Sequence, residues 1–250
     1  MHAALARNGW PDGNLIISAV PPEEREYLLP RLESIDLRGR QALYVAGAHL
    51  DWLYFPLDSV VAMLGVSRKG TTAQYALVGN ESFVGLSALL GDSRAVGSAI
   101  VQSPGRCYRV GVQPMAEAFQ RSEALRRVVL RCVSSRMTQT SQTSLCNALH
   151  SVEQRLCCWL LQTLDRLPSS DLTVTQELVA LVLGVRREAV TIAALRLQAR
   201  GAIRCARGHI VVLERRLLEE RCCECYALLR DDVAAMVRDI SGAWTGSHAR

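Results

Sequence analysis

Residues 175–212 read TQELVALVLGVRREAVTIAALRLQARGAIRCARGHIVV, and this stretch decides how the chain is interpreted. Its pattern predicts a helix, a tight turn at Gly184, a second helix that begins with arginines, and a short basic hairpin. Ala180 is small enough for two helices to cross, glycine permits the turn, and Val190 supplies an apolar contact between the helices. The stretch therefore predicts a helix-turn-helix, which places the start of its second helix in the major groove of DNA.

Positive charge is concentrated on the same region. The chain has 29 Lys and Arg residues and a net charge of +5, and Lys69 is its one lysine. Residues 171–216 hold eight arginines against four acids, which is most of the excess in under a fifth of the chain. Arginine suits bidentate contacts to phosphate and guanine, although a GC-rich genome also raises the arginine content. The location of the charge favours nucleic acid as the partner.

The bulk composition excludes several classes of protein. With 250 residues, 49% of them hydrophobic, the chain is long enough for one large or two smaller folded domains. No apolar run approaches the roughly 18–20 residues that span a bilayer, and the first 20 residues lack the apolar core of a signal peptide. The nine cysteines are odd in number and show no framework spacing, which favours reduced thiols in the cytoplasm. We find no P-loop, GxGxxG, HExxH or GxSxG motif, so the sequence predicts no enzyme and no catalytic residue.

Upstream of the helix-turn-helix the pattern changes from strands to a long helix. Between residues 35 and 112, apolar runs such as SVVAMLGV and TAQYALV alternate with turn signals, which predicts a β-sandwich or β-roll. From residue 114 to about 150 the glycines disappear, and a helix of about 30 residues is expected.

A helix this long after a β-domain is most simply a dimer seam, the alternative being a helix that lies on its own β-domain. The apolar positions predicted for the seam are Leu125, Val129, Cys132 and Met137. The segment TQTSQTS in its middle is unusually polar for a seam. The predicted class is thus α+β, divided into a β-domain at 15–113, a dimerisation helix at 114–150, a DNA-binding domain at 151–230 and a C-terminal tail at 231–250.

In its order of elements and in two long stretches, the chain resembles the CRP/FNR family of bacterial transcription regulators. One stretch, LYFPLDSVVAMLGV with YALVGNESFVGLSALLGD, is similar to the family's β-roll, the kind of domain that binds cyclic nucleotides. The other, HSVEQRLCCWLLQTLDRL with LTVTQELVALVLGVRREAVT, is similar to the end of the dimer helix and the winged helix-turn-helix. The resemblance covers about residues 15–230. It implies a homodimer that binds double-stranded DNA at an inverted repeat and acts on RNA polymerase.

The resemblance also indicates which side chains meet DNA, although the structural alternative for each is an ordinary solvated face. The residues it implies are Arg186, Arg187, Glu188 and Thr191 on a recognition helix that begins near Val185, Thr175 and Gln176 at the start of the first helix, and Arg204, Arg207 and His209 on the wing. Arg187 and Glu188 match the family's Arg-Glu pair, which suits a G·C base pair. Arg186 replaces a helix-capping serine and Ile192 replaces a further arginine of some members, so their base sequence does not carry over.

The signal-binding residues of the family are missing at the matching positions. Gly85 is followed by Leu86 where cyclic-nucleotide binders have glutamate, and Val96 and Gly97 stand where their phosphate-binding pair lies, with Arg94 nearby. The first cysteine is Cys107, so the family's N-terminal iron–sulfur ligands are absent. The lone His49 of the β-domain is a weak candidate for a haem ligand. The sequence therefore predicts no cofactor.

The cysteines leave one alternative open. Cys222, Cys225 and Leu229 fall on one stripe of a predicted terminal helix, which is typical of core packing, and the sequence shows no zinc-type spacing. Buried structural thiols and no metal are therefore expected. The alternative is a regulator that senses thiol oxidation or a small ligand in a rebuilt β-roll pocket.

Overall fold

The computed structural model describes residues 13–167 and 169–242, and its N-terminal half is a β-roll. Two short helices, α1 (Leu15–Ser18) and α2 (Pro22–Leu28), precede the strands. The strands of the roll are β1 (Glu33–Leu37), β2 (Ala42–Tyr44), β3 (Trp52–Pro56), β4 (Val60–Val66), β5 (Thr72–Val78), β6 (Ser98–Ser103) and β7 (Gly105–Gly111). They pair antiparallel in two sheets, of order β1-β7-β3 and β2-β6-β4-β5.

Strand β4 is buried on both of its faces. Val61 and Met63 point into the interior of the roll, whereas Ala62 and Leu64 belong to a second core shared with the C-terminal half. Successive side chains of a strand point to opposite faces, so a strand covered on both sides needs a continuous apolar run. That requirement explains the unbroken VVAML at its start.

Two helices follow where the sequence predicts one helix over 114–150. They are α3 (Val112–Arg121) and α4 (Glu123–Leu149). Ser122 separates them with an extended backbone, and its hydroxyl accepts a hydrogen bond from the Leu125 amide at 3.2 Å. A serine that caps a helix in this way ends the preceding helix and starts the next.

The C-terminal half is a winged helix-turn-helix with an additional helix. Its elements are α5 (Val152–Leu164), β8 (Asp171–Thr173), α6 (Gln176–Leu183), α7 (Arg187–Ala199), β9 (Ile203–Ala206), β10 (His209–Val212), α8 (Arg215–Arg221) and α9 (Cys225–Gly242). The three strands form an antiparallel sheet of order β8-β10-β9, which is the wing.

The predicted tail at 231–250 is helical as far as the structure describes it. Residues 231–242 belong to α9, which lies along α4 and buries Met236 and Ile240 against it. Residues 243–250 lie outside the described residues, as does most of the leader before residue 15. Among the helices that the structure describes, none is long and apolar enough to cross a membrane.

The helix-turn-helix is docked on the β-roll of its own chain. On α5, Trp159 Nε1 donates to Gln102 Oε1 of β6 at 3.1 Å, and Gln102 Nε2 donates to Thr163 Oγ1 at 2.9 Å. On α6, the Leu181 carbonyl accepts from Thr72 Oγ1 of β5 at 3.2 Å. These contacts surround an apolar core that runs from β4 through α5 to α7. The two halves of the chain therefore share one interior.

Candidate nucleic-acid interface

The helix-turn-helix is built from the three positions that define it in the sequence. Gly184 ends α6 in the left-handed region, with φ +62°, which glycine adopts without strain. Ala180 and Val190 are both buried, and Val190 is fully enclosed between α6 and α7. The turn thereby holds α7 across α6 with its first residues facing outward.

The start of α7 presents charged side chains to solvent. Arg186 occupies the N-cap position of α7 with an extended backbone. Its side chain makes no capping hydrogen bond, so the guanidinium does not satisfy the free N–H groups at the start of the helix. Arg187 and Glu188, in the first turn, are also exposed. Arg187 Nη1 lies 2.7 Å from Glu177 Oε1 of α6, an ion pair between two exposed groups. Exposed pairs of this kind are weak, so Arg187 can exchange this partner for another acceptor.

Two of the predicted contact residues bind each other. Thr191 Oγ1 lies 2.9 Å from Gln176 Oε1, which joins the recognition helix α7 to the start of α6. Beyond the charged first turn of α7, Ile192 and Leu195 are apolar yet about half-exposed, at 52% and 58%. The outward face of α7 thus runs from charged at its start to apolar in its middle.

Arg40 lies at this interface, although no pattern in the sequence predicts it there. Thr175 caps α6 by accepting from the Leu178 amide at 3.3 Å, and its hydroxyl also accepts from Arg40 Nη2. Arg40 lies in the turn between β1 and β2, with φ +66°. It is 135 residues away in sequence, so only the docking of the two halves brings this cation to the start of α6.

The wing carries the three residues predicted for it. Arg204 and Arg207 are exposed on β9 and at the hairpin turn, where Gly208 takes φ +77°. His209 is partly exposed, and its Nδ1 lies 3.1 Å from Asp171 Oδ1 of β8. Two exposed guanidinium groups and an imidazole therefore stand at the tip and edge of the wing.

Comparison with known proteins relates this geometry to a family. Residues 154–221 match the model of the Crp-like helix-turn-helix domain. The fold is similar to FixK2 from Bradyrhizobium japonicum, with 15% identity, a TM-score of 0.66 and coverage of 77% of this chain and 98% of that one. It is also similar to a CRP/FNR-family regulator from Thermus thermophilus, with 22% identity, a TM-score of 0.61 and coverage of 76% and 97%. The chain has the fold of a CRP/FNR-type transcription regulator.

A third similar structure is a CRP/FNR-family regulator from Eubacterium rectale, with 14% identity, a TM-score of 0.65 and coverage of 80% and 94%. No curated protein matches the sequence. The CRP/FNR resemblance and the α+β class, with β-roll, long helix and winged helix-turn-helix, are confirmed.

In the β-roll, the positions that the CRP/FNR resemblance assigns to nucleotide ligands hold residues of other kinds. Val96 is 86% exposed, and a Cβ on Gly97 would lie 2.4 Å from the Leu64 carbonyl oxygen. Arg94 is exposed and donates to the Gly47 carbonyl at 3.1 Å. One cation that reaches the roll from outside is Arg136 of α4, whose Nη2 donates to Ser82 Oγ at 3.1 Å.

Arg136 is enclosed between α4 and the roll. Burial lowers the pKa of its guanidinium, and the neighbouring Glu81, Tyr75 and Tyr44 oppose that shift. Its second contact is the Phe83 carbonyl at 3.4 Å. A side chain of α4 therefore closes the space between the long helix and the β-roll.

Three of the four predicted dimer contacts are buried within the chain itself. Leu125, Val129 and Cys132 are each no more than 1% exposed, in a core formed with the β-roll and with Met236 of α9. Met137, in contrast, is 66% exposed. The first three residues therefore contact their own chain, which agrees with the alternative of a helix that lies on its own β-domain, because the roll and α9 cover that face of α4.

Most of the cysteines fall into two groups. Cys107, Cys132 and Cys157 are buried, and burial raises the pKa of each thiol to about 12, which suits unreactive packing residues. Five others converge where α4, α5 and the α8–α9 connection meet: Cys146, Cys158, Cys222, Cys223 and Cys225. The predicted single helix with Cys222 and Cys225 on one stripe is interrupted, because Cys222 ends α8 and Cys225 begins α9. The break turns Cys223 inward, where it is 5% exposed.

Proposed function

We propose that the chain is a sequence-specific DNA-binding transcription regulator that acts as a homodimer on an inverted repeat. The observation that carries this proposal is the exposed start of α7, where Arg186, Arg187 and Glu188 project from a Crp-like helix-turn-helix. Such a regulator works in the cytoplasm with RNA polymerase as its further partner. An inverted repeat follows from dimer symmetry, with half-sites about 34 Å apart on one side of the duplex.

Base readout is assigned to three residues of α7. Arg187 exchanges its ion pair with Glu177 for guanine O6 and N7, and Glu188 accepts from cytosine N4. Ile192, half-exposed on the same face, offers an apolar contact to a thymine methyl group. The half-site therefore combines a G·C pair with a neighbouring A·T pair.

Phosphate contacts are assigned to the residues around this face. Arg186 lies beside the base-reading residues, and Arg204, Arg207 and His209 form the wing contact. At the start of α6, Thr175 and Gln176 lie beside the first N–H groups of the helix, and such groups attract phosphate. Arg40 adds a positive charge at the same place.

The dimer seam is assigned to the side of α4 that its own chain leaves open. This outer stripe repeats every seven residues and consists of Leu130, Ser134, Met137, Ser141, Ser144 and Ala148, all exposed. A seven-residue repeat with positions three and four apart is the pattern of a two-helix seam. The small serine and alanine residues permit close approach, so the polar TQTSQTS segment fits a tightly packed seam with two apolar anchors, Leu130 and Met137.

The input signal is proposed to be neither a cyclic nucleotide nor an N-terminal iron–sulfur cluster. A buried cyclic phosphate needs a counter-charge, whereas Val96 points to solvent and Gly97 is packed against Leu64. Arg136 is already bound to Ser82. The alternative input, through thiols, is favoured by the convergence of five cysteines at the junction of α4 with the DNA-binding domain.

The test is DNA selection from a random pool, followed by affinity measurements on the selected site. R187A is expected to weaken binding about 5- to 150-fold, equivalent to about 1–3 kcal/mol, and to relax the preference at one base pair. R216A is the matched control, since Arg216 is exposed on α8 of the same domain and pairs with Glu220. It removes the same charge and is expected to leave the sequence preference unchanged. A selection that yields no enriched sequence, or an R187A variant with unaltered preference, contradicts the proposal.

A further inference from the structure

Two pairs of side chains from distant parts of the sequence place their ligand atoms within 4.8 Å of one another: Cys146 with His150, and Cys223 with Cys225. Cys146 lies in the last turn of α4, and His150 is the residue at its end. Cys223 comes from the α8–α9 connection and Cys225 is the first residue of α9. Neither a C-x₃-H nor a C-x-C spacing is diagnostic alone, but the fold brings one of each together.

We propose that these four residues form a tetrahedral site for one divalent metal ion of the zinc class. Three thiolates and one imidazole nitrogen are a common ligand set of structural zinc. Soft sulfur ligands in a tetrahedral arrangement select zinc over harder ions. On binding, each of the three thiols releases a proton to solvent, while neutral His150 donates the lone pair of one ring nitrogen to the ion.

The distances agree with a single ion at the centre. A tetrahedron with Zn–S bonds of about 2.3 Å and Zn–N bonds of about 2.0 Å has S···S edges of about 3.8 Å and S···N edges of about 3.5 Å. The Sγ atoms of Cys146 and Cys223 are 3.6 Å apart. Cys225 Sγ lies 3.4 Å from His150 Nδ1. For these two pairs, the ligand atoms therefore need to move by only a few tenths of an ångström.

Further groups around the four residues support the ligands. His150 Nε2 lies 3.4 Å from Glu224 Oε1, so the ring nitrogen opposite the ion faces a carboxylate. This arrangement fixes the tautomer of metal-binding histidines. Gln142 Nε2 donates to Cys225 Sγ at 3.1 Å, which stabilises a thiolate. Both contacts orient a ligand atom toward the centre of the site.

The buried Nε atom of a partly buried arginine supplies the second, independent observation. Arg155 lines the same small cavity, of about 30 Å³, as Cys146, Cys158 and Cys225. Its Nε is buried and has no hydrogen-bond partner among the described residues. Three thiolates and one divalent ion carry a net charge of −1, which compensates the charge of Arg155. With neutral thiols alone, that guanidinium nitrogen is left buried without a partner, which is unfavourable.

The test is metal analysis of the purified full-length chain, prepared with reductant and without chelator. We expect about one zinc per chain by mass spectrometry of the metal content. Cobalt added to the stripped chain is expected to give the intense visible bands of a tetrahedral sulfur-rich site. Alkylation before and after a chelator is expected to show three thiols that become reactive only when the ion is removed.

Variants locate the ion. C225S and H150A are expected to reduce the bound metal at least tenfold and to shift or abolish the cobalt bands. C205S is the matched control, because Cys205 lies on the wing outside the cluster and is expected to leave the metal content unchanged. His150 stands at the end of α4, so H150A tests the site even where a buried cysteine variant fails to fold.

Three results overturn the proposal. A chain that binds no zinc or cobalt, with its cluster thiols free, excludes a metal site. A mass 2 Da lower, with Cys146 and Cys223 joined, shows a disulfide pair instead. Iron with acid-labile sulfide shows a cluster of another kind, in which cysteines ligate different irons.

Discussion

The docking of the helix-turn-helix on the β-roll can be measured through one glycine. Gly184 has φ +62°, and a Cβ there would lie 3.0 Å from Ala73 Cβ and 3.2 Å from the Thr72 carbonyl oxygen. Gly201, just after α7, has φ +74°, but a Cβ there meets nothing within 4 Å. The two glycines share the same backbone demand and differ in what surrounds them. Their alanine variants therefore separate backbone strain from the crowding between α6 and β5.

The expected costs follow from these two terms. A left-handed backbone costs a residue with a Cβ about 1–2 kcal/mol, and both variants incur that cost. In G184A the new methyl group also presses on a strand whose backbone oxygen cannot rotate away, which adds about 1–3 kcal/mol. We expect G201A to lower the free energy of unfolding by about 1–2 kcal/mol, and G184A by about 2–5 kcal/mol.

The assay is urea unfolding followed by circular dichroism, at one protomer concentration for the wild type and both variants. Equal slopes in urea show that the variants unfold the same surface, so the midpoints report stability. If G184A and G201A lose the same free energy, the turn of the helix-turn-helix does not rest on β5 in solution. That result would refute the docked arrangement, while the helix-turn-helix itself would stand.

Three further predictions test other contacts. M137E places a charge on the outer stripe of α4 and is expected to convert the proposed dimer to monomer by analytical ultracentrifugation, and an unchanged mass would contradict the seam. I192R is expected to shift the preference at one base pair from A·T toward G·C and to weaken binding to the original site about tenfold, as read by competition with altered sites. The ion pair between Arg166 and Glu81 is buried, with side-chain exposures of 8% and 11%. R166M is expected to lower the free energy of unfolding by about 3–5 kcal/mol, because it leaves the Glu81 carboxylate buried without its partner. The double variant R166M/E81Q is expected to lose clearly less, and equal losses in the single and double variants would show that the two side chains are not coupled.

The helix-turn-helix was predictable because its determinants are local. The motif itself requires a small residue where the helices cross, a glycine at the turn and an apolar residue between the helices. Ala180, Gly184 and Val190 meet these three requirements. The same holds for β4, whose continuous apolar run signals burial on both faces. Where structure follows from neighbours in the chain, the sequence is sufficient.

What covers each face of α4 was not predictable in the same way. Periodicity shows that Leu125, Val129 and Cys132 are buried, but it does not say against what. The covering element, α9, begins about 75 residues after the end of α4 and falls in the region predicted as the end of the DNA-binding domain and a tail. The metal-type cluster escaped prediction for the same reason, since its two halves are joined only by the fold.

The position of the cluster connects it to the helix-turn-helix through a single side chain. Arg155 lines the cavity beside Cys146, while its Nη2 donates to the Leu183 carbonyl at the end of α6. Leu183 immediately precedes Gly184, the turn residue between α6 and α7 that lies against β5. In the proposed metal site, a change in the charge of the cluster would therefore act on the guanidinium that holds this carbonyl, one residue before the turn between α6 and α7. Of the cysteines that the structure describes, five lie at this junction of α4 with the helix-turn-helix, so the proposed thiol or metal input would act at the point where the two halves of the chain meet.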